Sequence, residues 1–274
     1  MRAAAIDLGT NTCLLLVGES CGRILVDKAK VTRFGQGWDA TLECLRSFRQ
    51  LCDSLLVTTI RCVATSAARD MLDIDIFLKR AFVETGITVD VITGAAEARL
   101  GFSGALLPDM DRSQVVSLDI GGGSTELMAY GCEPLSLNVG ALRYQHATYK
   151  DITDILSAYE EQLAIFQHKP VVAIAGTATM MAALMLDMRQ FDAHQINGLQ
   201  YTYKQLESLL FGLAQLSREE LCLRLGDFSD RVDTCMAGGW IMLRMLKLLE
   251  PPTVSVSTRG LRYALLAELL GASV

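Results

Sequence analysis

Hydrophobic and polar positions along this chain repeat with two spacings, and the order of the resulting elements occurs twice. In the first half, alternation of apolar and polar residues predicts strands over 3–6, 13–18, 23–30, 59–64 and 88–92. Apolar residues that recur every three or four positions predict helices over 40–54, 66–85 and 94–106. The second half predicts strands over 115–120, 124–130, 133–139 and 171–175, helices up to residue 167 and after residue 175, and a last helix over 259–270.

Each half of the chain opens with three strands and continues with alternating helices and strands. This repeat predicts an α/β fold of two similar domains that face a cleft. We place these domains at 1–112 and 113–274, because residues 108–113 break the helical pattern before the next strand. The last helix can pack on either domain.

Two short segments, one near the start of each predicted domain, place an aspartate at the end of a strand and a Gly/hydroxyl turn after it. The first contains Asp7, Gly9, Thr10 and Asn11, and the second contains Asp119, Gly121, Gly122, Gly123, Ser124 and Thr125. Amides in a tight glycine turn bind phosphate oxygens, hydroxyls add donors, and an aspartate can hold a divalent cation. The pair of segments therefore predicts a phosphate clamp.

Composition narrows the class of protein and of substrate. The 274 residues are 51% apolar and 20% charged, which is typical of a well-packed globular chain. The first residues do not resemble a secretory signal, and the apolar run 171–186 is too short to span a bilayer, so we expect a cytoplasmic protein without a membrane partner. A net charge of −6 argues against nucleic acid as a partner and favours a small or end-on phosphate substrate.

Cysteine and histidine residues do not predict a metal or redox site. The eight cysteines include no C-x-x-C pair and no histidine at the spacing of zinc ligands, so we interpret them as reduced thiols. His146, His168 and His194 have no partner at metal-ligand or catalytic-triad spacing.

Five blocks of the chain resemble the exopolyphosphatase and guanosine pentaphosphate phosphohydrolase family, within the superfamily of actin and hexokinase. The blocks are residues 5–17, Arg33-Phe34-Gly35-Gln36-Gly37, and residues 64–69, 92–100 and 117–127. Weaker similarity follows at residues 140–143, 175–179, 230–233 and 256–262. The resemblance implies two actin-like (ribonuclease H-like) domains, each with a mixed sheet and flanking helices, and a homodimer is plausible for a member of this family.

The resemblance also assigns expected roles to single residues. Glu97 matches the family's proposed catalytic base, in a motif that usually has two adjacent acids and here has Ala96 in place of the first. Asp119 and Glu126 match acids that the family needs for activity, and Arg69 matches an arginine directed at the substrate phosphates. These residue types suit the cleavage of a phosphoanhydride, which needs a positioned water, a base and positive charge on the phosphate oxygens.

Two further sets of residues complete the expected site. We expect Asp7 and Asp119 to hold Mg²⁺ or another divalent cation. Thr65 and Ser66 begin a helix, and they are expected either to bind phosphate or only to cap that helix. A first-turn glutamate such as Glu97 can also serve merely to stabilise its own helix.

These features predict an exopolyphosphatase that releases orthophosphate from short polyphosphate chains, since the family's longer members carry additional C-terminal helical domains. A guanosine pentaphosphate 5′-phosphohydrolase is the alternative, because both reactions use the same clamp. A kinase or ATP-driven actin-like protein is disfavoured by Glu97 and by Ala175, which replaces a glycine in the loop that approaches nucleotides in the superfamily. A phosphate or alarmone sensor without catalysis also remains open.

Overall fold

The computed structural model describes residues 1–107 and 110–271, which form two compact units. The first unit comprises residues 1–104 and the C-terminal segment from Gly260, and the second comprises Ala105–Arg259. The predicted division at residue 112 falls beside Pro108 and Asp109, which lie outside the described residues, and it stays a prediction. The predicted cleft likewise stays a prediction.

Strands and helices alternate after an opening hairpin in both units. The strands are β1 Arg2–Leu8, β2 Thr12–Glu19, β3 Ile24–Val31, β4 Thr59–Ala64, β5 Val89–Val91, β6 Val116–Ile120, β7 Thr125–Ala129, β8 Leu135–Leu137, β9 Val171–Ile174, β10 Gln200–Tyr201 and β11 Val254–Val256. The helices are α1 Asp39–Ser54, α2 Ser66–Asp70, α3 Ile74–Thr85, α4 Gly94–Ala105, α5 Tyr149–Ser157, α6 Glu160–Leu163, α7 Ala175–Met185, α8 Ala193–Ile196, α9 Tyr203–Leu213, α10 Arg218–Leu225, α11 Val232–Leu249 and α12 Leu261–Leu270. Short 3₁₀ helices occupy Phe34–Gln36, Ala164–Phe166 and Gly226–Arg231.

Five strands are arranged in the same order in the two sheets, and the second sheet has β10 as an additional strand at its edge. In the first unit the strand order is β3-β2-β1-β4-β5, with β1 antiparallel to β2 and parallel to β4. In the second unit the order is β10-β11-β9-β6-β7-β8, with β6 antiparallel to β7 and parallel to β9. The prediction of two mixed sheets with flanking helices is therefore confirmed.

Alternating residues of β1 build two layers of core in the first unit. Ala4, Ile6 and Leu8 pack on the face that α1 and α3 cover. Ala3 and Ala5 pack on the opposite face, against the buried leucines of α12. Because successive side chains of a strand point to opposite faces, a strand that is apolar on both faces must be covered on both sides. The last helix thus packs on the first unit, although its sequence left the choice open.

The core of the second unit lies around β6, β9, α7 and α11. Helix α11 runs for 18 residues and buries most of its side chains, including that of Arg244, which pairs with Glu160 at 2.7 Å. In the part of the chain that the structure describes, no helix combines the length and the apolar character needed to cross a bilayer.

Apart from shifts of one or two residues at element ends, two predicted elements differ from the observed ones, and two short strands were not predicted. The helix expected over 66–85 is two helices, because the backbone of Met71 is extended and its side chain packs against the first core. The strand expected over 133–139 is only Leu135–Leu137, at the outer edge of the second sheet. The short strands β10 and β11 were not predicted, since two or three residues carry too little periodicity to recognise.

Candidate active site

The turn between β1 and β2 is held by hydrogen bonds to its carbonyl groups. The amide of Gly9 donates to the carbonyl of Thr12 at 3.1 Å, which closes the turn. The carbonyls of Thr10 and Asn11 accept from backbone amides of segment 32–35, at 3.0 to 3.3 Å. Among the described residues, no acceptor takes a hydrogen bond from the amides of Thr10 and Asn11. A turn with free amides and anchored carbonyls suits an anionic oxygen.

The turn between β6 and β7 repeats this construction. The amide of Gly121 donates to the carbonyl of Ser124 at 3.0 Å, and the carbonyls of Gly121 and Gly122 accept from amides of segment 140–143. A Cβ atom at Gly140 would overlap the backbone of Gly122 and Gly123, so only glycine permits this close approach. Within the described part of the chain, the amides of Gly122 and Gly123 have no protein acceptor.

Asp7 lies near the end of β1, with an unusual electrostatic environment. Its Oδ1 atom is buried and has no hydrogen-bond partner among the described residues. Burial raises the pKa of Asp7 to about 7, and the negative charge of Glu97 adds to this rise, while the positive charge of Arg262 opposes it. Asp7 and Glu97 are therefore close enough to influence each other's ionisation.

Glu97 and Arg69 form an ion pair within the first unit. Glu97 lies in the first turn of α4, where the hydroxyl of Thr93 accepts from the Ala96 amide at 3.2 Å and caps the helix. Its Oε2 atom accepts from Nη1 of Arg69 at 2.7 Å, and the same nitrogen also donates to the carbonyl of Ile92 at 3.1 Å. The side chains of Glu97 and Arg69 are 12% and 23% exposed, so solvent reaches both only in part.

The balance of burial and pairing sets the basicity of Glu97. Burial raises the pKa of Glu97, and this effect exceeds the opposing effects of the Arg69 charge, the Arg69 hydrogen bond and a hydrogen bond to Thr65. A carboxylate whose pKa is raised towards neutrality is a better proton acceptor near neutral pH than an exposed glutamate.

Thr65 and Ser66 lie at the start of α2. Thr65 precedes the helix but makes no side-chain cap hydrogen bond, and its hydroxyl lies 3.5 Å from the carbonyl of Leu8. The helix-cap interpretation of Thr65 is therefore wrong, because its side chain is directed at Leu8 and Glu97. Ser66 is buried as the first residue of the helix.

Asp119 and Glu126 lie directly opposite each other on β6 and β7. Directly opposite residues of an antiparallel pair point to the same face with Cβ atoms about 5 Å apart. Glu126 is 2% exposed, and its Oε1 atom accepts a hydrogen bond from the hydroxyl of Ser136 at 2.8 Å. The second unit thus places two carboxylates side by side on the strands that flank its turn.

The two hydroxyl residues after the second turn are both buried. The hydroxyl of Thr125 donates to the carbonyl of Val139 at 2.6 Å, so its single proton is used to hold the backbone. The phosphate contact that the sequence predicted for Thr125 stays a prediction. The predicted role of Ser124 stays a prediction.

The aspartates are compatible with a divalent cation. A buried carboxylate oxygen without a hydrogen bond, such as Oδ1 of Asp7, is the kind of oxygen that a cation would satisfy. Mg²⁺ commonly binds through one or two carboxylates, with phosphate oxygens and water as its other ligands. Among the described residues, no three His, Cys, Asp or Glu side chains gather as a ligand cluster, so a cation here would need such outside ligands.

Two arginines of the second unit, one beside the second turn and one at the start of α7, were not among the predicted site residues. The side chain of Arg143 donates through Nε to the carbonyl of Gly123 at 2.8 Å. The guanidinium of Arg231 fills the space above Gly176 that a Cβ would occupy, and burial lowers its pKa. Both arginines lie in segments with weak similarity to the family, 140–143 and 230–233. That similarity was the sequence feature that could have identified them.

Comparisons with known proteins show which families and chains this one is similar to. Residues 35–272 match the Ppx/GppA phosphatase family. The chain is 31% identical to exopolyphosphatase 2 of Mycobacterium tuberculosis, over 72% of this chain and 74% of that protein. It is 27% identical to a bifunctional 3-dehydroquinate synthase/phosphatase of Fusobacterium nucleatum, over 93% of this chain and 44% of that protein. It is also 27% identical to a guanosine-5′-triphosphate,3′-diphosphate pyrophosphatase of Aliivibrio fischeri, over 80% of this chain and 45% of that protein. The chain thus spans less than half the length of two of these relatives.

Solved structures share the fold over the whole chain. An exopolyphosphatase from Cytophaga hutchinsonii superposes with a TM-score of 0.88 at 23% identity, over 99% of both chains. The PPX-GPPA enzyme of Aquifex aeolicus superposes with a TM-score of 0.81 at 26% identity, over 98% of this chain and 99% of that one. The predicted fold of two actin-like domains is therefore confirmed.

Proposed function

Since the chain belongs to the Ppx/GppA phosphatase family, we propose that it hydrolyses the terminal phosphoanhydride bond of inorganic polyphosphate and releases orthophosphate. The observation that carries this proposal is the Glu97–Arg69 pair, 2.7 Å apart and mostly buried, beside the buried carboxylate of Asp7. A base and a guanidinium in contact are the two protein groups that in-line attack of water on phosphate needs.

In the proposed reaction, Glu97 accepts a proton from the attacking water as its oxygen bonds to the terminal phosphorus. The bond from that phosphorus to the bridging oxygen breaks, and the shortened polyphosphate leaves. Arg69 stabilises charge on the non-bridging oxygens, which its planar group can bind through two parallel hydrogen bonds. The free amides of Thr10, Asn11, Gly122 and Gly123 bind further phosphate oxygens. Asp7 and Asp119, with Glu126 beside Asp119, would hold Mg²⁺, which adds positive charge at these oxygens.

The net charge supports a short or end-on substrate. A chain with a net charge of −6 has no excess of positive charge with which to bind a long polyanion along its surface. We therefore propose that the protein prefers short polyphosphates. We also propose that it acts in the cytoplasm and as a homodimer.

The experiment that tests the proposal measures orthophosphate release with Mg²⁺ from short and long polyphosphates of defined length, guanosine pentaphosphate and ATP. Wild-type protein is compared with Glu97→Gln, which keeps the size of the side chain and removes the base. We expect release from polyphosphate, fastest with short chains, and loss of that release in the variant.

A preference for guanosine pentaphosphate would make that compound the substrate in place of polyphosphate, in line with the name of the Aliivibrio fischeri relative. Preference for ATP would favour an actin-like ATPase. Binding of these compounds without release of phosphate would contradict the enzyme and leave a sensor.

A further inference from the structure

Ser136 stands next to the acid pair of the second unit, at a position to which neither the sequence nor the resemblance drew attention. Register places Asp119 opposite Glu126 on the neighbouring strand, and Glu126 opposite Ser136 on the next. The three side chains thus form one row across β6, β7 and β8, on one face of the sheet.

The contact between Ser136 and Glu126 is a well-formed hydrogen bond. The serine hydroxyl donates to Oε1 of Glu126 at 2.8 Å, within the usual range for an O–H donor. Glu126 is almost completely buried, so water cannot readily replace this donor. Hydrogen bonds to charged groups are among the stronger ones in proteins. The bond therefore fixes one oxygen of the carboxylate, and with it the orientation of the group.

Two comparisons within the chain indicate that this contact serves Glu126 and not the sheet in general. In the first unit the corresponding row is Asp7, Leu14 and Ala29. Leu14 stands in place of the glutamate, and Ala29 stands in place of the serine, so the hydroxyl and the acid are absent together. In the second sheet, Ser117 directs its hydroxyl only at the carbonyl of Met128, at 3.4 Å.

We propose that Ser136 is a positioning residue that holds the Glu126 carboxylate beside Asp119 in the orientation that catalysis requires. This proposal rests on the proposed function, because Glu126 is one of the acids assigned to the reaction. A glutamate has three rotatable side-chain bonds, and a partly buried donor that selects one arrangement removes the need to order the side chain during the reaction. Partners that orient the ligands of a metal commonly change metal affinity or activity 10- to 100-fold when removed.

The test compares three variants of the full chain. Ser136→Ala removes the donor, Ser136→Thr keeps a hydroxyl on an outer strand that tolerates a β-branched residue, and Ser117→Ala is a matched loss of a serine in the same sheet. Two properties are measured for each protein: kcat and KM for polyphosphate, and the affinity for Mn²⁺ alone, by electron paramagnetic resonance of the free ion. A melting curve of each variant verifies that it is folded.

We expect Ser136→Ala to lower kcat about 10-fold with little change in KM for polyphosphate, and to weaken Mn²⁺ binding by about the same factor. Ser136→Thr should recover most of both losses, and Ser117→Ala should change neither. If Ser136→Ala matches Ser117→Ala in kcat and in Mn²⁺ affinity, the positioning role is overturned. A wild-type protein that binds no Mn²⁺ would overturn it as well.

The Mn²⁺ measurement separates this proposal from the proposed function. If wild-type protein releases no phosphate from any substrate but Mn²⁺ binding follows the expected order of variants, the reaction is wrong and the positioning of Glu126 stands. If the enzyme is active and Ser136→Thr recovers nothing, the hydroxyl is not what matters and the proposal fails.

Discussion

The two units hold their turns in the same way but place different side chains opposite the aspartate. In both, a glycine amide closes the turn at 3.0 or 3.1 Å, and a segment after the third strand anchors the turn carbonyls. The residue opposite Asp7 is Leu14, whereas the residue opposite Asp119 is Glu126. The backbone of the turn is thus the same in both units, but only the second unit carries an acid opposite its aspartate.

This difference separates two tasks. The first unit buries the Asp7 carboxylate near Glu97 and Arg262, and it carries Glu97 on a helix, paired with Arg69. The second unit keeps two acids on adjacent strands, one of them held by Ser136. We infer that the first unit handles the proton and the second mainly handles the cation. Four predictions test or extend this comparison of the two units.

The largest effect is expected at the base of the first unit. Glu97→Gln should lower kcat for phosphate release by roughly 10²- to 10⁴-fold, the usual contribution of a general base, without a large change in the Mg²⁺ concentration required. Steady-state kinetics at several Mg²⁺ concentrations measure both quantities. The control is Glu219→Gln, which changes an exposed first-turn glutamate of α10. A loss below about 10-fold would mean that Glu97 only supports its helix.

The next effect concerns Asp7 and stability. Its pKa of about 7 in the folded protein lies above the ordinary value of 3.8, so the folded state binds more protons between these pH values. The contribution of Asp7 to the free energy of unfolding therefore falls as pH rises from about 4 to about 7, and Asp7→Asn should remove this contribution. At pH 8 without Mg²⁺ the variant should be more stable by up to about 4 kcal/mol, since a rise of about 3 units is worth about 1.4 kcal/mol per unit.

Urea unfolding at pH 4, 6 and 8 measures this difference, with Asp90→Asn as the control at an exposed position. A stability difference between Asp7→Asn and wild type that is the same at all three pH values would contradict the raised pKa.

A smaller effect is expected from the acid pair of the second unit. Asp119→Asn should raise the Mg²⁺ concentration for half-maximal activity by at least about 10-fold, because it removes one of the two negative charges that we propose to face the cation. Titration of activity with Mg²⁺ reveals this shift, again with Asp90→Asn as the control. An unchanged Mg²⁺ dependence would break the division of tasks between the units.

The smallest effect concerns how each unit connects its central parallel strand to a helix. The first unit does so through Thr65, with negative φ, whereas the second uses Ala175, whose φ of 64° suits glycine. Ala175→Gly should raise the free energy of unfolding by about 0.5 to 1 kcal/mol and the melting temperature by about 2 °C. The control is Ala178→Gly inside α7, which should lower stability. A lower melting temperature for Ala175→Gly would show that the alanine methyl contributes packing that outweighs the strain.

Many elements of the fold were visible in the sequence because their periods are long or their turns carry glycine. The prediction for α1, over 40–54, nearly coincides with the observed Asp39–Ser54, since its apolar face is continuous. The predicted helix over 66–85 was wrong at Met71, because packing of that side chain in the core overrides a local pattern that continues through it. Local propensity cannot register such a distant contact.

The candidate site was visible to different degrees. Asp7 and Asp119 stood out because an acid interrupts an apolar strand before a glycine turn, and Glu97 and Arg69 came only from the resemblance. Ser136 carried no signal, because its importance depends on the register of β8 against β7. Arg231 carried only a weak sequence signal, whereas in the structure its guanidinium is buried against Gly176.

The sequence by itself determined the repeated strand–turn–strand pattern, the α/β class and the positions of the turn glycines, because each depends on spacing within a few residues. Only the tertiary structure decided that Glu97 meets Arg69, 28 positions away, and that the carboxylate of Asp7 is buried without a hydrogen bond. It also decided that Thr125 bonds to the backbone and that Ser136 reaches Glu126. Hydrogen bonds and pKa values depend on distance and burial in space, and a linear pattern contains neither.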